Sequence, residues 1–226
     1  MKSRTRLRLG VVLLAAASLA VALVAASQLG AREPGGARAE PAPMPTPSLF
    51  RNVPQRGAVL GNPAAPVTLV EYADLQCPYC ATWAVGALPV LVDEYVRSGK
   101  LRIVFRGMAF LGVESDTALR TAVAAGRQNM LWNVVHALYE RQGAENSGWV
   151  TESLLAEVAP GVDVNERYED WVSQEVQRSA AAARAARVAG TPAFQVGRTG
   201  GRLRLVEVQS LEAAALRPAI DAALAG

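Results

Sequence analysis

The tightest constraint on this chain is Cys77-Pro78-Tyr79-Cys80, because the only two cysteines among its 226 residues both fall there. An apolar, strand-like run from Val67 to Tyr72 precedes the tetrapeptide, and a helix-like run opens near Ala81. Two thiols at this spacing, where a strand feeds a helix, suit a reversible dithiol–disulfide couple. A helix start offers free N–H groups and partial positive charge to the first sulfur. Cys77 is therefore expected to be acidic and exposed, and Cys80, a turn further in, shielded.

Other uses of the pair fit less well. A disulfide closing a loop of four residues stabilises by only about 2 kcal/mol on the chain-entropy formula, against about 3 for a fifteen-residue loop. A structural zinc site takes four ligands, and the single histidine, His136, lies 56 positions beyond Cys80. Two inert buried cysteines are the other alternative, and Pro78 with the strand–helix setting argues against them.

The N-terminus says where such a couple works. Lys2, Arg4, Arg6 and Arg8 precede 23 uncharged, mostly apolar residues, Leu9 to Ala31. A cleaved signal peptide has an apolar core of about 7–15 residues and a spanning helix needs about 20. Val24-Ala25-Ala26 offers small residues for cleavage, yet the uncut length favours an anchor, residues 1–31, with its N-terminus inside. The expected location is the cell membrane, single-pass with the catalytic domain outside the cytoplasm, or secreted or periplasmic if cleaved. Disulfides persist in either place.

All 20 acidic residues lie after Ala31, while four of the 23 basic ones lie before it. The remainder thus carries 19 positive against 20 negative charges, a net of −1, and the pI of about 9.1 reports targeting rather than a basic surface. Nothing points to nucleic acid as a partner. Residues 32–56, with prolines at 34, 41, 43, 45, 47 and 54, read as a semi-extended linker. Residues 57–226 are the right size for one domain with its own core.

Within it, Val67 to Tyr72 is a first strand, followed by a helix to about Arg97 that Pro89 breaks or kinks, and Leu101 to Phe105 is a second strand. A right-handed crossover makes these two parallel. From about 115 to 189 the pattern turns helical, with apolar positions at Met130, Leu131, Val134, Val135 and Leu138, then Leu154, Leu155 and Val158, then Asn165 through Ala186. Two short strands follow, Pro192 to Val196 and Leu203 to Val208, and a helix from Leu211 to Leu224 that Pro218 interrupts. The fold class is α/β, with helices inserted between a βαβ half and a ββα half.

That order, with Val70-Glu71-Tyr72-Ala73-Asp74-Leu75-Gln76-Cys77-Pro78-Tyr79-Cys80, Gly190-Thr191-Pro192-Ala193-Phe194 and, more softly, Trp132 to Tyr139, resembles the DsbA-like thiol–disulfide oxidoreductases of the thioredoxin superfamily. The likeness runs from about Gly57 to the C-terminus. It implies a thioredoxin-like fold with a helical insertion and a redox disulfide between Cys77 and Cys80. It implies a cis Thr191–Pro192 bond facing the dithiol, where an extended substrate chain pairs beside Pro78 and Tyr79. It also makes Glu71 a buried acid that moves a proton to or from Cys80; the alternative is an outward-facing strand glutamate. Asp74, Gln76 and Tyr79 are expected at the rim, and His136 in packing. Tyr79 stands where strongly oxidising relatives carry histidine, which removes a cation from the motif.

The reading is an extracytoplasmic oxidoreductase that donates its disulfide to exported, cysteine-containing proteins. It needs no organic cofactor or metal, and the resemblance implies a quinone-linked membrane reoxidase as partner. The rivals are a reductase or isomerase of the same fold and a non-enzymatic peptide-binding module.

Overall fold

The computed structural model describes residues 47–226. The expected membrane segment, residues 1–31, lies outside the described residues, as does most of the linker. Among the described residues no helix is long and apolar enough to cross a membrane.

Among the described residues six strands form one sheet, β1 (Gln55–Arg56), β2 (Val59–Leu60), β3 (Val67–Asp74), β4 (Leu101–Met108), β5 (Ala193–Arg198) and β6 (Arg204–Val206), in the order β1-β2-β4-β3-β5-β6. β3 and β4 run parallel, in register from Val67↔Leu101 to Asp74↔Met108, and the other neighbours are antiparallel. Every residue of β3 is buried, as expected for a central strand covered on both faces. Leu69 and Ala73 face one core with Trp83, Leu88 and Leu91; Val70 and Tyr72 face a smaller one with Val104, Met108 and Ala183.

Helix α1 (Pro78–Leu91) opens with Cys77 at its N-cap and proline at its first position, where a missing N–H costs nothing. Its buried residues, Cys80, Trp83, Ala84, Ala87, Leu88 and Leu91, repeat at three- and four-residue steps and lay one face on the sheet. The expected break at Pro89 does not occur: the helix runs through it to Leu91, and the irregularity is a π turn at Val92–Val96. Pro89 withholds an N–H only from the carbonyl of Val85, an exposed position.

Four helices fill the stretch between β4 and β5: α2 (Val113–Ala125), α3 (Leu131–Glu140), α4 (Glu152–Val158) and α5 (Asp170–Ala185). α3 packs against α1 and α5 against β4. The chain ends in α6 (Arg217–Ala225), against β5. Pro218 sits in the first turn of α6 and starts it rather than interrupting a longer one.

The N-terminal boundary needs correction. The linker expected over residues 32–56 ends before Ser48, because Ser48–Phe50 is a 3-10 turn whose Phe50 is 1 % exposed, and Val53 is buried too. The Phe50 ring stands edge-on to His136, 5.5 Å between centroids. Arg97 donates to the carbonyl oxygens of Leu49 and Arg51, each at 2.8 Å, and clasps this arm to the domain. The β1–β2 hairpin that follows then pairs β2 with β4.

Candidate active site

Cys77 lies where β3 turns into α1. Its N–H donates to the Asp74 carbonyl at 3.1 Å, and its own carbonyl accepts the first helical bond, from Ala81 N at 3.2 Å. As a thiol it donates to the Thr191 carbonyl oxygen at 3.4 Å. As a thiolate it accepts from the Cys80 thiol above all, and from the Thr191 side chain and the N–H groups of Cys80 and Tyr79. Burial opposes ionisation but loses to these donors, and the Cys77 pKa falls from 9.0 to about 6. The expectation that Cys77 is the open sulfur meets a narrower opening: only 6 % of the residue is exposed, against none of Cys80. Burial, reinforced by the neighbouring Cys77 and Glu71, pushes the Cys80 thiol far up. The two sulfurs are thus inequivalent, one acidic and one held protonated.

Glu71 occupies the middle of β3, between Phe105 of β4 and Phe194 of β5, and is 1 % exposed. It therefore does not face outward. Neither carboxyl oxygen has a hydrogen-bond partner among the described residues. Burial alone raises its pKa well above the usual carboxylate range, which favours the protonated acid, within electrostatic reach of Cys80.

The Thr191–Pro192 bond is cis, and the loop brings the Thr191 carbonyl to Cys77. Pro78 and Tyr79 are exposed, Tyr79 by 65 %. Tyr79 borders an apolar groove of about 710 Å³ that continues past Thr82, Gly86 and Val90 to Leu211 and Arg217.

Asp74 and Gln76, expected at the rim, are fully buried instead. Asp74 accepts from the N–H groups of Gln76, Phe110 and Leu111 and from the Ser115 hydroxyl, at 2.6–3.1 Å. Gln76 donates to Ser115 and Asn146 and accepts from Asn146 N. Each polar group finds its partner inside the insertion, which is why burial is tolerated. Two further residues were given no role at the site by the sequence reading, where Tyr139 appears only as the end of the softer motif and Gln142 not at all. Tyr139 donates to the Asp74 carbonyl at 3.2 Å, and Gln142 to the carbonyls of Leu75 and Cys77 at 2.9 and 3.2 Å. They lie 65 to 67 positions from the loop they hold, and no local pattern marks such a contact. His136 is buried, its Nε2 3.5 Å from Glu140 and its ring against Phe50.

An acidic thiol at a helix start, a buried thiol behind it and a cis-proline loop across from both define a dithiol exchange centre on a thioredoxin-like fold. Comparison with known proteins agrees. Residues 54–214 match the thioredoxin family model Thioredoxin_4. The chain is 33 % identical over 165 residues to the probable disulfide bond formation protein D of Bacillus anthracis, covering 69 % of this chain and 75 % of that protein. Among solved structures, BdbD from Bacillus subtilis, in its oxidised form, superposes with a TM-score of 0.65 at 20 % identity, over 77 % of this chain and 98 % of that one. A thioredoxin-like oxidoreductase from Silicibacter pomeroyi does so at 0.60 and 31 % identity, over 79 % and 96 %. The chain belongs to the DsbA-like family of the thioredoxin superfamily. It is a thiol–disulfide oxidoreductase.

Proposed function

We propose that this enzyme works as an oxidant outside the cytoplasm, held at the membrane by residues 1–31 on the linker that follows, and donates its Cys77–Cys80 disulfide to cysteine-containing exported proteins. The inequivalence of the two sulfurs carries the reading. A thiolate on Cys77 stabilises the reduced form, and a disulfide whose reduced form is stabilised is the more oxidising one. Relatives named as disulfide bond formation proteins support the same direction.

In this account a substrate thiolate attacks Cys77 Sγ, the Cys77–Cys80 bond breaks, and Cys80 leaves with the electron pair. Its high proton affinity draws a proton from Glu71, the protonated acid behind it. The substrate's second thiolate then attacks its own sulfur in the mixed disulfide, and Cys77 leaves as a thiolate, a weak base and therefore a good leaving group. The substrate has lost two electrons and the enzyme has gained them. Thr191 and Pro192 hold the extended chain, with Pro78 and Tyr79 flanking it. Turnover needs an oxidant, for which a quinone-linked membrane reoxidase is the proposed partner.

Trapping tests the substrate class. Cys80→Ala in the full-length chain should accumulate reducible mixed disulfides through Cys77 with proteins bearing export signals. Adducts confined to cytoplasmic proteins would contradict the assignment. A second reading, a reductase of the same fold, draws on one observation: Tyr79 supplies no cation, and a Cys77 pKa of about 6 lies nearer the value of about 7 in thioredoxin than about 3.5 in the strongest oxidants. The reduction potential separates the two.

A further inference from the structure

The catalytic loop is held from behind by the insertion, and two of its side chains, Tyr139 and Gln142, bond the loop's backbone carbonyls. Tyr139 in the last turn of α3 and Gln142, two residues past its end, both reach back to the catalytic loop. Tyr139 reaches the Asp74 carbonyl, which also accepts the Cys77 N–H. Gln142 goes further. Its single amide nitrogen donates to Leu75 O and to Cys77 O, two carbonyls of the turn that carries the Cys77 sulfur. The backbone bearing Gln142 is itself fixed: at Gly143 a Cβ would come within 2.7 Å of the Trp149 side chain, so glycine there lets the turn close against that ring. The next stretch is tied down by Asn146, which donates to Leu111 O at 2.8 Å and to Gln76 Oε1 at 2.7 Å.

We propose that Gln142 is a positioning residue for Cys77: its amide group pins the Leu75 and Cys77 carbonyls and so fixes the turn that presents the sulfur to the N–H groups of α1 and to Thr191.

The electrostatics give the sign. Two carbonyl oxygens of the turn that carries Cys77 place partial negative charge there, and the amide hydrogens offset it. Without them that charge opposes a thiolate, and the turn is free to rotate the sulfur away from the Tyr79 and Cys80 N–H donors. Both effects disfavour the ionised form. Cys80 on α1 is the titratable group that bonds the sulfur; Glu71 on β3 acts on Cys80, Tyr139 on α3 interacts with Cys77, Cys80, Glu71 and Asp74, and none of these is changed by a substitution at Gln142. The inference rests on Cys77 being the thiolate-bearing sulfur of the proposed exchange.

The test is the pH dependence of Cys77 alkylation by iodoacetamide in the reduced full-length chain, in detergent, for the parent, Gln142→Met and Gln142→Ala. Methionine keeps the length and bulk of the side chain and removes both N–H donors. Gln142 is only half-buried, and a circular-dichroism melt of each variant checks the fold. Loss of both donors should raise the midpoint by about half a unit. Alkylation on the acid side then slows about threefold relative to the parent, in both variants. If the parent titrates near its expected midpoint and both variants superimpose on it, the role of Gln142 is overturned while the exchange mechanism stands. If the parent itself titrates like an ordinary thiol, both fall together.

Discussion

Glu71 shows most clearly how a single side chain here trades stability for chemistry. An unpartnered carboxyl in the centre of β3 costs about 1–3 kcal/mol, and nothing in the strand pairing requires it. Its folded pKa is raised above an unfolded value of about 4.3. For an acid shifted this way, its contribution is most favourable below the unfolded pKa and is lost as pH rises toward the folded one. Glu71→Leu should therefore raise stability by about 1–3 kcal/mol at neutral pH, with the gain shrinking toward pH 4 in denaturant titrations. The same variant should slow attack of a substrate thiolate on the Cys77–Cys80 disulfide, the step in which Cys80 leaves, by about tenfold or more, because the proton source is gone. A variant unchanged on both counts would place Glu71 outside the mechanism.

At the scale of elements, local patterns and distant contacts part company. β3 and β4, α1 and the helices of the insertion were legible, because apolar residues repeat at the period of each element and the Cys-Pro-Tyr-Cys turn marks their junction. The two-residue strands β1 and β2 were not, since neither is long enough to show a period. Phe50 was hidden among prolines, and its burial depends on His136 and Trp132, more than eighty positions away. Asp74 and Gln76 read as polar rim residues because their partners, Ser115 and Asn146, are supplied by the insertion. Cys77, Cys80, Thr191 and Pro192 were readable as a set only through the family resemblance, while Tyr139 was legible only as the end of a softer motif without a role and Gln142 carried no signal. The arm gives a direct test: Phe50→Ala should cost about 3 kcal/mol in chemical denaturation, whereas a mere tether would lose almost nothing. Gly107 in β4 gives another. A Cβ there would sit 2.0 Å from Leu119 Cδ1 and 2.9 Å from Phe105 Cε1, so Gly107→Ala should force α2 off the strand. The expected loss is about 1–3 kcal/mol, and an unchanged melting curve would contradict that packing.

For the molecule as a whole, the two thiols make the reduced and oxidised forms respond differently to pH. The folded pKa of Cys77 is depressed to about 6, so its contribution to the reduced protein is present above the unfolded thiol value of about 8.5. That contribution is lost as pH falls through 6. The raised pKa of Cys80 acts oppositely, and only above about pH 8.5. Between those limits the reduced form should gain stability with rising pH, and the disulfide form, which has neither thiol, should lack this component in paired thermal melts. Linkage makes the same statement about redox poise, because whatever stabilises the dithiol strengthens the disulfide as an oxidant. The measurement that bears most directly on the central claim is thus the reduction potential of Cys77–Cys80 in the full-length protein, equilibrated against glutathione. A value near about −120 mV is the prediction, and a value near about −270 mV would make the enzyme a reductant and contradict it.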